Sequence, residues 1–502
     1  MVVNPGLAAA ERLVGNRPGP IINGRCVDAG ARFKVVEPAT GETIALVADT
    51  TAEQASQAVA VAASTLPTWS TTTPWHRFEI LRRCVDALRL AVDDLAELIC
   101  AETGKPLAEA RGEAHNTVRF FDWFSHETLR LPGEYWPGIT PDRDAAVLRE
   151  PVGVVVAITP WNYPAFMVAC KVGAALAAGC TVVLKPAEQA PLSALAIGEV
   201  FLAAGLPPGV WNIVPASRPE NVSDVLLSAP EVACISFTGS RPVGELIARA
   251  AARTVKRVLL ELGGNSPAVV LPDADLDLAA DQLVRARFLN SGQACMAVNR
   301  VYAIAPIDSE LLTRLAKRIR SLRVGAPRDA DTSLGPLIDL AAVEHLECQL
   351  SAAVEQGAEL ITGGTRLRET AASAFLEPAL VAVSAARQPE VFDEEFFGPV
   401  LSVIRCLDED EAVRMANDTQ YGLAGYVFSG NQSRAMEVAR RLVVGSVAIN
   451  CALISEPQLP FGGTKASGVG RERGRAGVEE FLEFKTVQIG ARRCSEYPIQ
   501  SV

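Results

Sequence analysis

The sequence predicts an α/β protein, with a doubly wound parallel-sheet domain, a second α/β domain and a small arm. From residue 150 onward, short β-rich apolar runs alternate with alanine-rich helical stretches, a pattern typical of parallel sheets covered by helices. The chain has 502 residues, which is too long for one compact core. Its hydrophobic residues amount to 49% and its charged residues to 21%, the balance of an ordinary globular protein.

The first 150 residues are predicted to be mostly helical. One long amphipathic helix is expected to begin at about Pro74, because proline suits the first turn of a helix. It is expected to end at about Glu102, since Gly104 and Pro106 follow as stop signals.

Two sets of alternating strands and helices follow. Strands of the first set are predicted at 152–158, 181–185, 210–214, 233–237 and 258–262. Helices between them are predicted at 192–204 and 243–252. The second set is predicted to contain helices at 276–288, 310–321 and 411–417 and strands at 300–304 and 446–449. Doubly wound sheets bind ligands at the carboxyl ends of their strands, so the residues that follow each strand are candidates for a site.

Charge, hydropathy and cysteine content argue against several classes of function. A net charge of −11 and a pI near 5.2 disfavour nucleic acid or an anionic membrane as partner. The most apolar stretch, 172–184, is shorter than a membrane-spanning helix and is flanked by lysines. The eleven scattered cysteines show no CxxC spacing, and the four histidines are isolated. We therefore expect no metal site, no disulfide framework and no secretory signal, but free thiols in a cytoplasmic protein.

Asn162 follows the first strand within Thr159-Pro160-Trp161-Asn162-Tyr163-Pro164. Two prolines fix the backbone around it, and an amide held at a strand end can donate a hydrogen bond to an oxyanion. Capping of the next helix explains the same asparagine equally well.

Two further strand ends carry polar or glycine-rich turns. Lys185 and Glu188 follow the second strand and are placed to bracket a ribose, although solvated loop charges are the ordinary interpretation. Gly239, Ser240 and Gly244 follow the fourth strand, where glycines let backbone N–H groups approach a pyrophosphate. Such a turn is also common without any ligand.

Glu261 and Cys295 are the candidate reactive residues. Glu261 precedes a double glycine and lies among apolar residues, an environment that raises a carboxyl pKa and suits a general base. Cys295 follows a glycine turn at Gly292. Most free cysteines are buried and inert, so the thiol is significant only in combination with the other motifs.

Together these motifs resemble those of the aldehyde dehydrogenase superfamily, in family order and over nearly the whole chain. The segments that carry the resemblance are 159–164, 185–188, 237–244, 261–267, 292–295, 394–399 and 460–463. The resemblance implies NAD(P)-dependent oxidation of an aldehyde to a carboxylic acid through a thioester on Cys295. Asn162 and the Cys295 backbone N–H would hold the oxyanion, and Glu261 would activate water. Lys171 and Glu472 match positions that relay protons.

The resemblance also implies where the cofactor binds. The matching positions are Thr159, Trp161, Lys185, Glu188, Gly239, Ser240, Gly263, Glu395 and Phe397. Lys185, Glu188 and Ser240 match contacts to the adenosine ribose and pyrophosphate, whereas Glu395 and Phe397 match contacts to the nicotinamide end. A carboxylate at Glu188 predicts that NAD is preferred to NADP, because the NADP 2′-phosphate would meet a like charge.

The resemblance divides the chain into three parts. The NAD(P)-binding domain is expected at 1–126 and 148–260, with a return segment near 455–480, and the catalytic domain at 261–454. An oligomerisation arm is expected at 127–147 and 481–502, because an exposed edge strand favours pairing with another subunit. A homodimer or homotetramer is therefore predicted.

The substrate pocket is expected to contain Tyr163, Phe166, Cys170, Arg300 and Ser455. The C-terminal motifs and Asn299-Arg300 look most like those of succinate-semialdehyde dehydrogenases. Enzymes of that branch usually carry an arginine where this chain has Cys170, and that arginine grips a distal carboxylate. A semialdehyde-like or medium-sized aldehyde is predicted.

Three alternatives remain open at this point. CoA-acylating relatives would use the same cysteine, but they typically lack a glutamate at position 261. A cysteine hydrolase or esterase would normally need a histidine near the thiol. A binding protein on the same fold would have no use for Cys295, Glu261 and Asn162 together.

Overall fold

The computed structural model describes residues 5–28, 30–367, 374–452 and 454–490. The helices in this part are α1 (Pro5–Val14), α2 (Ala52–Ser70), α3 (Pro74–Leu90), α4 (Val92–Thr103), α5 (Leu107–Glu127), α6 (Phe166–Val168), α7 (Ala174–Ala178), α8 (Leu192–Ala203), α9 (Glu220–Ser228), α10 (Arg241–Ala252), α11 (Leu276–Phe288), α12 (Asp308–Arg320), α13 (Leu340–Glu355), α14 (Glu409–Asn417), α15 (Gln432–Arg441) and α16 (Gly474–Glu479). The strands are β1 (Ile21–Ile22), β2 (Arg25–Cys26), β3 (Arg32–Val36), β4 (Thr43–Ala48), β5 (Glu134–Thr140), β6 (Arg143–Pro151), β7 (Val154–Ile158), β8 (Thr181–Lys185), β9 (Trp211–Ile213), β10 (Val232–Thr238), β11 (Arg257–Glu261), β12 (Ser266–Val270), β13 (Val298–Ile304), β14 (Glu359–Thr362), β15 (Arg366–Leu367), β16 (Phe375–Leu376), β17 (Ala379–Ser384), β18 (Val400–Cys406), β19 (Ala424–Phe428), β20 (Ser446–Ile449), β21 (Gly468–Val469) and β22 (Leu482–Gly490).

The first large sheet is doubly wound, which confirms the predicted fold class. Its order is β2-β1-β9-β8-β7-β10-β11-β21, and the strands from β9 to β11 are parallel. The first of the parallel strands in the chain is β7. The next two, β8 and β9, are added on one side of it, and β10 and β11 are then added on the other side. The winding direction changes between β7 and β10, so the loops after these strands border a crevice of the kind that binds dinucleotides.

The second large sheet has the order β14-β17-β18-β13-β12-β19-β20 and is parallel except at β14. In this sheet β13, β18, β17 and β14 lie on one side of β12, and β19 and β20 lie on the other. Residues 289–297, which join α11 to β13, carry Cys295. The predicted second α/β unit is thus present.

A three-stranded antiparallel sheet, β22-β6-β5, stands apart from the two large sheets. All seven residues of β5 are exposed, including the rings of Tyr135 and Trp136, and β22 is exposed from Glu483 onward. Exposed apolar edge strands are typical of surfaces that pair with another chain. The predicted oligomerisation arm falls on this sheet, although its residues 491–502 lie outside the described part.

The N-terminal region differs from the predicted single helix. Two helices replace it, because Ala91 leaves helical geometry and its N–H bonds back to the carbonyl of Leu88 at 3.1 Å. Asp93 and Asp94 then lie in the first turn of α4, where the positive end of the helix dipole favours acidic residues. The predicted stop is confirmed, since Gly104 ends α4 with a φ of 76°.

The prediction that the first 150 residues are mostly helical was incomplete. The strands β1 to β5 and most of β6 lie in this region. Two of them, β1 and β2, extend the first large sheet by antiparallel pairing next to β9. No helix of the described residues is long and apolar enough to cross a membrane.

Candidate active site

The turn that precedes Cys295 has an unusual left-handed backbone. Asn290 and Ser291 both have a φ of 53°, and Gly292 follows with 76°. The two residues that carry a Cβ each pay roughly 1–2 kcal/mol for this conformation. The Ser291 hydroxyl bonds to the Gly335 carbonyl at 2.9 Å, and the Gln293 side chain accepts the Ile338 N–H at 2.9 Å. These bonds hold the strained turn in place.

Asn162 is bound directly to this turn. Its side-chain amide donates to the Gln293 carbonyl at 3.0 Å, and its own carbonyl accepts from the side chains of Asn290 at 3.1 Å and Lys105 at 2.8 Å. An amide carries two N–H groups, so one remains for a ligand. The helix-cap interpretation is wrong, because α6 begins after Ala165 without a side-chain cap.

The Cys295 thiol lies in a low-polarity environment beside two carboxyl groups. Burial raises its pKa to about 12, and the charges of Glu395 and Glu261 act in the same direction. The Cys295 backbone packs against Gly264, where an added Cβ would lie 2.6 Å from the Cys295 carbonyl oxygen. The double glycine after Glu261 therefore permits the nucleophile turn to approach β11.

Glu261 is buried at the carboxyl end of β11. Burial raises its pKa well above the usual range, and the charge of Glu472 adds to this effect. Its Oε2 atom has no hydrogen-bond partner among the described residues. A buried carboxyl that favours its proton is suited to accept one from a thiol or from water.

Lys171 and Glu472 form a buried ion pair next to Glu261. Lys171 lies in a π-helical turn, Ala169–Gly173, and its Nζ also contacts the Ser236 hydroxyl at 3.2 Å. Such turns are often found at functional sites. The charges of both residues act on the Glu261 carboxyl.

The crevice between β7 and β10 suits a dinucleotide. Gly239 and Ser240 follow β10, and Ser240 is the residue from which α10 begins. A Cβ on Gly244 would lie 2.5 Å from the Leu262 side chain, so this glycine permits α10 to pack closely on the loop after β11. Lys185 and Glu188 pair at 3.0 Å, and Glu188 lines a cavity of 630 Å³ together with Ser217.

The other end of the crevice is formed by Glu395 and Phe397. Burial raises the pKa of Glu395 to about 8, and its Oε1 atom has no partner among the described residues. Its other oxygen lies where a side chain on Gly263 would be. The Phe397 ring meets Trp161 edge-on, with centroids 5.7 Å apart. A buried carboxyl group with one oxygen left without a partner, beside a glycine-lined gap, fits the nicotinamide end of NAD(P).

Cys295 also lines a cavity of 370 Å³. Of the five residues predicted in the pocket, Tyr163, Phe166 and Ser455 line it. The placement of Arg300 there is wrong, because its buried guanidinium is held by the Asn265 carbonyl at 2.9 Å and by Tyr302. The placement of Cys170 is also wrong, since its thiol is buried outside the lining of the cavity.

Several charged residues of this cavity were not predicted. They are Lys105, Glu109, Glu113, Arg285 and Arg473. Lys105 pairs with Glu113, and Glu109 accepts the Asn290 N–H at 2.8 Å. The four-residue spacing of Lys105, Glu109 and Glu113 was a usable signal for one polar helix face. For Arg473, the only signal was its position next to Glu472.

Comparison with known proteins decides the family. A model of the aldehyde dehydrogenase family matches residues 27–487. The chain belongs to this family. It is 41% identical over 479 residues to the probable succinate-semialdehyde dehydrogenase (NADP(+)) of Sinorhizobium fredii, a match that covers 95% of this chain and 96% of that protein.

Two further relatives of this aldehyde dehydrogenase are named for other substrates. The 3-sulfolactaldehyde dehydrogenase of Pseudomonas putida is 42% identical, over 92% of this chain and 94% of that protein. The solved betaine aldehyde dehydrogenase of Staphylococcus aureus, in complex with NAD+, superposes with a TM-score of 0.94 at 32% identity and covers 98% of this chain and 99% of that chain. The protein is an NAD(P)-dependent aldehyde dehydrogenase, which excludes the cysteine hydrolase and the non-enzymatic binding protein.

The raised pKa of Cys295 predicts how the cofactor-free aldehyde dehydrogenase reacts with an alkylating agent. Only the thiolate is a nucleophile, so the alkylation rate of Cys295 should rise about tenfold per pH unit from pH 7 to pH 10. Peptide mass spectrometry after iodoacetamide treatment measures this rate. In urea-unfolded protein the rate should level off near pH 8.5, the ordinary thiol pKa. A plateau at that pH in the folded protein would contradict the burial of the thiol.

Proposed function

We propose that this aldehyde dehydrogenase oxidises its substrate through a thiohemiacetal and then a thioester on Cys295. The observation that carries the proposal is that Cys295 lines the 370 Å³ cavity while the Asn162 amide is hydrogen-bonded to the turn that carries this cysteine. The Cys295 sulfur attacks the carbonyl carbon as the thiolate, after its proton has passed to water in the cavity. The free N–H of Asn162 and the Cys295 backbone N–H then stabilise the oxyanion.

The cofactor supplies one step, in which bound NAD(P) accepts a hydride from the thiohemiacetal carbon. The residues that would hold it are those bordering the crevice described above. Glu395 would accept hydrogen bonds from the ribose next to the nicotinamide, and Phe397 would pack on the ring. Lys185 and Glu188 would hold the other ribose, while the turn at Gly239 and Ser240 would receive the pyrophosphate.

Hydrolysis completes the reaction. Glu261 takes a proton from a water molecule, which attacks the thioester and releases the acid and the Cys295 sulfur. The Lys171–Glu472 pair receives the proton from Glu261. The buried Glu261 favours water over CoA as the acyl acceptor, because CoA-acylating relatives typically lack this glutamate.

The thioester can be observed directly. We expect mass spectrometry of acid-quenched protein, sampled within the first turnover, to find the acyl group on the peptide that contains Cys295. The adduct should require both aldehyde and oxidised cofactor, so protein mixed with aldehyde alone is the control. An adduct on another residue, or none during turnover, would overturn the proposal.

We further propose that NAD is preferred to NADP, although two relatives carry NADP(+) in their names. The support is Glu188, whose carboxylate would face the NADP 2′-phosphate. Like charges about 4 Å apart repel by about 4 kcal/mol at an effective dielectric of about 20, before solvent and side-chain movement reduce it. The pairing of Lys185 with Glu188 leaves the lysine partly neutralised and less available to the phosphate.

The wild-type enzyme should therefore show a kcat/KM ratio for NAD over NADP of about ten- to hundredfold. Glu188→Ser should shift this ratio toward NADP by at least about tenfold, because it removes the like charge and frees Lys185. The matched control is Glu231→Ser, an exposed position at the opposite end of the first sheet. Equal use of both cofactors by the wild type, or an unchanged ratio in Glu188→Ser, would reject Glu188 as the discriminator.

The remaining features of the assignment are proposals of the same kind. We propose the domain limits given above and a homo-oligomer formed through the β5–β6–β22 sheet. A cytoplasmic location agrees with the ten free thiols of the described residues. The substrate is proposed to be a semialdehyde-like or medium-sized aldehyde.

A further inference from the structure

Arg473 places a buried positive charge in the wall of the substrate cavity. The residue is only 4% exposed and lines the same cavity as Cys295. Its guanidinium stacks over the Phe461 ring at 4.1 Å and lies near the Phe166 ring at 5.1 Å. The backbone is strained as well, with a φ of 65° that favours glycine. A charged side chain that is buried on a strained backbone is costly for stability, and such residues are concentrated at functional sites.

The guanidinium forms no ion pair in the part of the chain that the structure describes, although its charge acts on the buried Glu261 carboxyl. The adjacent carboxylate, Glu472, pairs with Lys171, and the Arg473 guanidinium donates to the Ile454 carbonyl at 3.1 Å. Its Nε atom is buried without a hydrogen-bond partner. Buried charges are normally paired, so this arginine calls for an anion supplied from outside the chain.

The rest of the cavity does not cancel this charge. Lys105 neutralises Glu113, and Glu109 already accepts the Asn290 N–H. Burial also raises the pKa of Glu109 to about 7, so this carboxyl is not fully charged at neutral pH. A second arginine, Arg285, lies exposed along the lining. The cavity therefore carries a net positive charge.

Arg473 is also a neighbour of Cys170 in the structure. Cys170 lies against the guanidinium, whose charge acts on its thiol. Related semialdehyde dehydrogenases usually place an arginine at the position of Cys170. In this chain the Arg473 guanidinium, which comes from the segment before α16, lies against the Cys170 thiol and itself lines the cavity.

We propose that Arg473 binds the distal anionic group of the substrate, so that the enzyme selects aldehydes whose far end carries a carboxylate or a similar oxyanion. The planar guanidinium is suited to bidentate contact with such a group, and the Ser455 hydroxyl in the same lining can add a hydrogen bond. This inference rests on the proposed function of Cys295, because it concerns the aldehyde that reaches that thiol.

The first test compares two aldehydes of similar length, 4-oxobutanoate and the uncharged pentanal. Arg473→Met keeps a flexible apolar chain against the rings but removes the charge. It should lower kcat/KM for 4-oxobutanoate at least about 30-fold, chiefly through KM, and change that for pentanal less than about threefold. Arg475→Met is the matched control, because Arg475 is exposed and pairs with Glu479. Equal losses on both aldehydes, or no loss, would overturn the proposal.

Two further measurements keep the proposal testable if Arg473→Met folds poorly. In the double variant Arg473→Gly with Cys170→Arg, glycine suits the positive φ and the cation returns from a residue in contact with the Arg473 side chain, so preference for 4-oxobutanoate should recover relative to Arg473→Gly alone. Butanoate should slow alkylation of wild-type Cys295 more than butanamide does, and Arg473→Met should abolish that difference. Protection of Cys295 by butanoate needs no turnover, so a lack of protection would contradict the role of Arg473 even if the thioester mechanism is right. A failure of the thioester mechanism would appear instead as a missing acyl adduct on Cys295.

Discussion

Replacement of Cys295 by alanine is expected to reduce aldehyde oxidation by at least about 10⁴-fold in kcat, the scale seen when a covalent nucleophile is removed. Alanine leaves Asn162 and Glu261 in place, yet no other described thiol lines the cavity. NAD binding should persist with a Kd within about threefold of the wild type, because the crevice contacts of Lys185 and Glu395 do not involve the sulfur.

Steady-state NADH formation measures the loss, and quenching of tryptophan fluorescence by NAD measures binding, with Trp161 beside Phe397 as a reporter. Cys348→Ala, on the exposed surface of α13, should retain full activity. Retention of more than about one hundredth of wild-type kcat in Cys295→Ala would be incompatible with a thioester mechanism.

Replacement of Glu261 by glutamine is expected to separate the two halves of the reaction. Glutamine has nearly the same shape but cannot accept a proton, so the thioester should form and then hydrolyse slowly. We expect a burst of NADH of about one equivalent per active site, followed by a steady state slower by about 10² to 10⁴-fold. Burial penalises the charged form of the native carboxyl, and the neutral amide carries no charge to bury. We therefore expect the variant to fold as well as the wild type.

Stopped-flow absorbance gives the burst, and intact-protein mass spectrometry gives the acyl-enzyme. Glu231→Gln, which changes an exposed glutamate far from the crevice, serves as the control. If Glu261→Gln shows neither burst nor adduct, the carboxyl acts in forming the thioester instead. A wild-type steady state would exclude Glu261 from both steps.

The central strands were accessible from the sequence because they are buried on both faces and read as continuous apolar runs. The strand predicted at 181–185 has the same limits in the structure. The strand predicted at 233–237 is one residue longer at each end, and the strand predicted at 258–262 begins and ends one residue earlier. The short strands β1 to β4 gave no such signal, since they are two to six residues long and largely lie at sheet edges or in a hairpin. The break at Ala91 was missed because alanine is not itself a stop signal.

The same contrast holds for the site. Asn162, Glu261, Lys185 and Gly239 lie at or just after the ends of strands, and parallel topology alone brings strand ends together. Arg473 comes from a C-terminal segment that reaches the cavity only through tertiary packing, and for Glu109 the helical spacing indicates a polar face but not what that face contacts. Arg300 was misplaced because the Asn299-Arg300 pair looks like that of succinate-semialdehyde dehydrogenases, whereas the Arg300 side chain donates to backbone carbonyls beside the second sheet.

The left-handed turn before Cys295 restricts which residue can occupy position 290. Asn290 tolerates a positive φ, and its amide also donates to the carbonyls of Asn162 and Gln293, both at 3.1 Å. Glycine would keep the backbone but lose both bonds, and aspartate would turn an acceptor toward two acceptors. Asparagine alone satisfies both demands. A residue outside the lining of the substrate cavity is thus constrained twice, by its backbone angle and by the two carbonyls that its amide must reach.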